Sequence, residues 1–124
     1  MKRVALVVIV VLVASCTIPS LNTLAPPLWI WGSWAEQTAP ANVFAFTYDD
    51  VTMTTSGISV DYKQLAASAG TSITDEVENG IYRMHVYNPA IDQTMTFTRV
   101  NLLSMNLSID VGGVIFGLVL LQRH

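Results

Sequence analysis

Three side chains in this sequence have intrinsic nucleophilic or acid–base reactivity near neutral pH: Cys16, His85 and His124. The two imidazoles are far apart in sequence. A hydrolytic triad needs a histidine between a hydroxyl nucleophile and a carboxylate, and no Gly-x-Ser-x-Gly turn is there to project a serine. His85 therefore reads as a strand residue and not as a base. No His/Cys spacing suits zinc. The acidic groups Asp49-Asp50 and Asp75-Glu76-Glu78 lack the ligand spacing of a calcium loop. They read instead as solvated turns that discourage edge-to-edge association of strands. No glycine-rich phosphate loop follows a strand. The expectation is a protein that is not an enzyme and has no metal site, no cofactor and no catalytic residue.

Cys16 has no second cysteine to pair with, so its meaning lies in its surroundings. Met1, Lys2 and Arg3 form a cationic head, residues 4–13 are uninterruptedly apolar, and Ala14 and Ser15 are small. That is the layout of a secretory signal. The apolar run falls well short of the roughly 20 residues a spanning helix needs. Val13-Ala14-Ser15-Cys16 resembles the bacterial lipobox. The resemblance implies cleavage before Cys16 and acylation of its thiol with palmitate-like chains. Each buried methylene contributes about 0.8 kcal/mol, so two or more chains hold a protein permanently at a membrane. The expected location is the bacterial cell envelope. Thr17 is not the aspartate that often marks inner-membrane retention, which favours the outer membrane in a Gram-negative host.

Removing residues 1–15 leaves Lys63, Arg83, Arg99 and Arg123 against nine acids, a formal charge of −5. Nucleic-acid binding needs clustered bases to neutralise phosphates, so no nucleic-acid partner is expected. Residues 16–27 carry three prolines (Pro19, Pro26, Pro27) and no helical or alternating period. They read as the lipidated cysteine and a flexible tether. Residues 28–124 suit one small domain with a modest core. Trp29 and Trp31 stand at its start, as core or rim, or at a membrane interface, where indoles are favoured.

The domain is patterned in short β segments. Residues 43–47, 51–54 and 58–62 are broken at Asp49-Asp50 and Ser56-Gly57, and residues 58–62 alternate Ile58, Val60, Tyr62 against Ser59, Asp61. Residues 63–69 contain Ala and Leu in place of β-branched residues and suit a single helical turn or a loop. Residues 72–77 form a weaker strand, and Asn79-Gly80 makes a hairpin signal. Residues 81–87 alternate Tyr82, Met84, Val86 against Ile81, Arg83, His85, Tyr87. Residues 94–100 place Met95, Phe97 and Arg99 on one face, and residues 102–109 and 114–121 complete the series. The last segment is apolar on both faces and reads as a final buried strand, or as one that lines a pocket or meets a partner. The fold class is all-β: an antiparallel barrel or sandwich of about eight strands.

Gly32-Ser33-Trp34, with Arg123 after the final apolar segment, resembles the lipocalin-like (calycin) β-barrels. That resemblance implies barrel closure by Trp34 at one end, with Arg123 packed over the indole. A small barrel can fill its interior with side chains or hold one small apolar ligand, and the aromatic and methionine residues Tyr62, Tyr82, Met84, Met95 and Phe97 are candidates to line such a pocket or to form the core. The leading expectation is thus a membrane-anchored envelope lipoprotein whose partners are the membrane, through Cys16, and a small hydrophobic ligand. The alternative is a protein-interaction module with a solid core, a surface adhesin or an inhibitor of an envelope enzyme.

Overall fold

The computed structural model describes residues 23–124, the side chains of residues 116–118 excepted. The expected signal (1–15), Cys16 and the first part of the tether lie outside the described residues. Nine strands follow in order: β1 (Gly32–Glu36), β2 (Ala39–Phe46), β3 (Val51–Thr55), β4 (Ile58–Asp61), β5 (Ser72–Glu78), β6 (Ile81–Asn88), β7 (Ile91–Arg99), β8 (Ser104–Val111) and β9 (Val114–Arg123). One short helix, α1 (Tyr62–Ala66), separates β4 from β5, and a 3-10 turn, Leu28–Ile30, precedes β1. The strands form one antiparallel sheet in the order β4-β3-β2-β1-β9-β8-β7-β6-β5, curled into a half-barrel. The sheet is two meanders joined where the last strand pairs with the first. Strand β1, at residues 32–36, was not among the expected segments: Gly32, Ser33 and Ala35 have little β-propensity, and the strand is held by pairing on both sides.

Tight turns make the meander possible. Ser56 (φ 49°) and Gly57 (φ 80°), and Gly112 (φ 60°) and Gly113 (φ 90°), have both central residues at positive φ, the mirror-image turn that matches strand twist. At Asn79-Gly80 only the glycine takes positive φ.

The two sheet edges, β4 and β5, are not paired with each other. Strand β4 finishes beside Thr52, at the Arg123 end of the sheet, whereas β5 begins beside Tyr87, at the opposite end. Helix α1 and the turn after it carry the chain back, and α1 contacts β3, β4 and β5. The Asp61 carboxylate caps α1, accepting from the backbone N–H groups of Lys63 (3.0 Å) and Gln64 (3.2 Å). Tyr62 and Ala66 face the core. A helix laid over this gap shields part of what would otherwise be two open strand edges.

Alternation fills the concave side. Partnered rows run Tyr82–Phe97–Leu107–Val119 and Met84–Met95–Ile109 across β6, β7, β8 and β9, and Trp34–Phe44–Met53–Val60 across β1 to β4. The N-terminal segment adds to this core. Leu24, Pro26 and Ile30 are buried, and the Ala25 N–H donates to Asp75 Oδ2 at 2.7 Å. Residues 24–27, expected in the flexible tether, therefore pack on the domain, and the folded body starts upstream of Leu28.

Candidate functional site

The chemistry that the fold concentrates lies at one end of the sheet. Trp34 and Arg123 are direct partners in the β1–β9 ladder, so both side chains stand on the same face. The Arg123 guanidinium lies over the Trp34 indole, 4.3 Å from the ring centroid. Trp34 is fully buried, and its Nε1 donates to the Ile30 carbonyl at 2.8 Å. Arg123 also donates to three carbonyls: Nη1 to Trp31 (2.7 Å), Nη2 to Trp29 (2.8 Å) and Nε to Leu102 (3.2 Å). One planar cation thus ties the last strand to the segment before β1 and to the loop between β7 and β8. Lysine could not do this, because it lacks the fixed fork of donors.

Gly32 is the third member of this group, and sequence reasoning assigned it no role of its own. Its φ is +112°, and a Cβ there would lie 2.9 Å from Arg123 Nη1. Glycine two residues before the tryptophan leaves room for the guanidinium over the ring. Gly32→Ala is expected to cost about 1–3 kcal/mol, the range for a strained non-glycine backbone, with added loss from displacing Arg123. Urea unfolding measures this; a stability equal to wild type would show that neither the φ nor the contact matters.

The five candidate pocket residues converge on the concave side. Tyr82, Met84, Met95 and Phe97 have 0% exposure and Tyr62 has 6%. Phe97 sits edge-on to Phe46 (centroids 5.1 Å) and Phe44 (5.6 Å), and lies stacked near Tyr82 (6.2 Å). Around Phe97 the interior is therefore filled by rings, and edge-to-face pairs of this kind contribute about 0.5–1.5 kcal/mol beyond the area they bury. The Tyr82 hydroxyl donates to Asp75 Oδ2 at 2.9 Å. Burial and the Asp75 carboxylate together push the Tyr82 phenol far above its ordinary value, so it remains a neutral donor.

His85 and His124 are not brought together. His85 faces outward from β6, with Nε2 at 2.7 Å from Asp92 Oδ1, and both side chains are exposed. It borders a shallow groove of about 250 Å3 lined by Thr74, Asp75, Glu76, Arg83, His85 and Thr94. Arg83 holds Glu76 (3.1 Å) and Glu78 (2.9 Å) there. The backbone N–H of His124 bonds the Ser33 carbonyl at 2.9 Å. Among the described residues no three His, Cys, Asp or Glu side chains are grouped to hold a metal ion.

The acidic turn before β3 is structural. Asp49 pairs with Lys63 at 2.6 Å, which holds its carboxyl below the ordinary value. Asp50 Oδ1 accepts from Val51 N–H (2.7 Å) and Lys63 N–H (3.0 Å). Partial burial and the neighbouring Asp61 nevertheless push Asp50 up. A carboxyl raised by folding is penalised when ionised, so its contribution favours the fold below its folded pKa and is lost as pH rises through it. Asp50→Asn, which keeps an acceptor oxygen, is expected to raise the urea midpoint at pH 7, with the difference from wild type vanishing as pH falls through the carboxylate range. A difference that grew on acidification would contradict this account.

No protein family, curated protein or solved structure matches this chain.

Proposed function

We propose that this chain is an envelope lipoprotein, anchored through acylated Cys16, whose β-domain acts on a protein partner through its outer surface. The observation that carries the choice between a ligand-holding and a solid domain is the state of the five interior residues. They are closed to solvent, and Phe97 lies stacked near Tyr82 and edge-on to Phe44 and Phe46. A pocket for an apolar ligand is lined by side chains with accessible surface, which these lack. The rim of the sheet remote from Arg123, by contrast, carries large apolar side chains on both faces. Tyr87, Ile91, Val111, Val114 and Ile115 are exposed there. The β6–β7 and β8–β9 turns that carry them are joined by the Gly112 N–H on the Asp92 carbonyl at 2.9 Å. Grouped exposed apolar residues of this kind mark interaction surfaces. Val114 and Ile115, expected to be part of a buried final strand, belong to this rim.

Three measurements test the reading. Intact-mass analysis of the protein from the membrane fraction is expected to show acyl chains on a chain beginning at Cys16, and Cys16→Ala is expected to abolish them. A photo-crosslinker at position 114 is expected to trap a discrete envelope protein in cells, with trapping lost in Ile115→Asp. Saturable one-to-one binding of a fluorescent fatty acid by the protein would overturn the solid-core reading in favour of a ligand carrier.

A further inference from the structure

The end of the sheet that carries Arg123 presents a second apolar surface, on two segments distant in sequence. Leu28 is 72% exposed, Leu102 71% and Leu103 64%, with Trp31 and Val100 also open to solvent. The same guanidinium brings them together: Arg123 bonds the carbonyls of Trp29 and Trp31 on one side and of Leu102 on the other, and its backbone N–H bonds Leu103 at 2.9 Å. The β7–β8 loop is tightly built. Leu103 N–H bonds Asn101 Oδ1 at 2.8 Å, and the Val100 and Asn101 N–H groups both bond the Ser104 carbonyl. A turn this well satisfied in its backbone holds two leucines out into solvent.

Charge and chain path indicate what covers this surface. Residues 23–35 and 99–109 contain no acidic side chain, in a chain with nine acids. Arg99 stands beside them with its guanidinium 5.9 Å from the Trp29 ring centroid. The two segments that form this apolar face carry no acid of their own, and with an arginine at the margin they suit a lipid surface, where indoles and leucines enter the interfacial region and cations meet phosphates. On the way back toward Cys16, Pro26 is bound to this end, its carbonyl accepting from Trp31 Nε1 at 2.9 Å, and Ala25 is held at Asp75 in the middle of β5. Even fully extended, eight residues from Cys16 to Leu24 reach only about 26–29 Å.

We propose that Leu28, Trp31, Val100, Leu102 and Leu103 seat in the headgroup region of the membrane that holds Cys16. The anchor site rests on the lipoprotein reading; the face itself rests on the geometry above. Seating fixes the orientation of the domain. Strand β9 runs from the Gly112-Gly113 turn to Arg123, ten residues, so the opposite rim is held about 30 Å further from the lipid, taking 3.2–3.4 Å per residue.

The test uses the protein purified from membranes and reconstituted into phosphatidylethanolamine–phosphatidylglycerol vesicles with brominated acyl chains. Tryptophan emission is expected to be quenched, with the quenched fraction lost in Trp31→Phe and reduced in the Leu102→Asp/Leu103→Asp double variant. Both positions are exposed, so thermal melting without lipid should match wild type and exclude misfolding as the cause. Acylated protein that floats with vesicles yet is unquenched would overturn the seating while leaving the anchor intact. Protein without acyl chains that is still quenched, and not in the double variant, would overturn the anchor while supporting the face. Concentration-dependent dimers that the double variant abolishes, with no quenching, would give the face to a second copy of this chain.

Discussion

Trp34→Ala is expected to remove about 3–5 kcal/mol of stability, the range for deleting a buried aromatic side chain, against a total of about 5–15 kcal/mol for a domain. The ring is fully buried, bonded to Ile30, and the base on which Arg123 lies. Arg123→Ala is expected to cost about 1–3 kcal/mol. The cation–π contact supplies roughly 0.5–2 kcal/mol, and the three carbonyl bonds are discounted because the residue is exposed. The two losses should not add. Once the indole is gone the guanidinium has no face to rest on, and a coupling of about 0.5–3 kcal/mol is expected, as for residues in contact. Urea denaturation of the single and double variants measures it. Arg123→Lys separates the components, since it keeps a charge over the ring but cannot hold three carbonyls. Strict additivity would mean that the two residues stabilise the domain independently and that the end of the sheet is closed by packing alone.

Phe97→Ala is expected to have a comparable effect, about 3–5 kcal/mol, through the cavity it leaves. Phe97 meets Phe44, Phe46 and Tyr82, drawn from β2 and β6, so its removal loosens both halves of the sheet. The hole would be apolar, and apolar cavities stay dry and accept small aromatic molecules. Benzene is therefore expected to raise the melting temperature of Phe97→Ala by mass action and to leave wild type unchanged. A wild-type protein stabilised by benzene as strongly as the variant would show that the interior is already open. Phe97→Leu, which retains most of the volume, should lose much less than the alanine variant.

The interior was largely legible in advance because a strand has a period of two. Tyr82, Met84 and Val86 alternate with charged and polar neighbours, and the structure buries all three. The Ala and Leu of residues 63–69 left a helical turn or a loop open there, and the structure has a helix at Tyr62–Ala66. The last strand was harder to read. The β8–β9 register slips between Ser108 and Ile109, and a bulge resets which side chains face inward. An apolar run through a bulge carries no alternation to read, and Val114 and Ile115 proved to be exposed. Strand β1 was missed because its residues have weak propensity and owe their conformation to both neighbours.

The candidate site divides in the same way. The spacing of Gly32 and Trp34 and the position of Arg123 were visible as residues. Their contact depends on β9 returning to pair with β1, a closure between chain ends that no local pattern encodes. The amino-acid sequence by itself determined the all-β class, the turn positions, the charge balance and the residues that alternation turns inward. These follow from nearest-neighbour chemistry along the chain. Only the tertiary structure decided that residues 24–27 pack on the domain, that Asp75 meets Ala25, and that Leu28 and Trp31 share a surface with Leu102 and Leu103. Each of those pairs residues far apart in sequence, and contacts of that kind are set by how strands pair and how the sheet curls, not by the residues on either side.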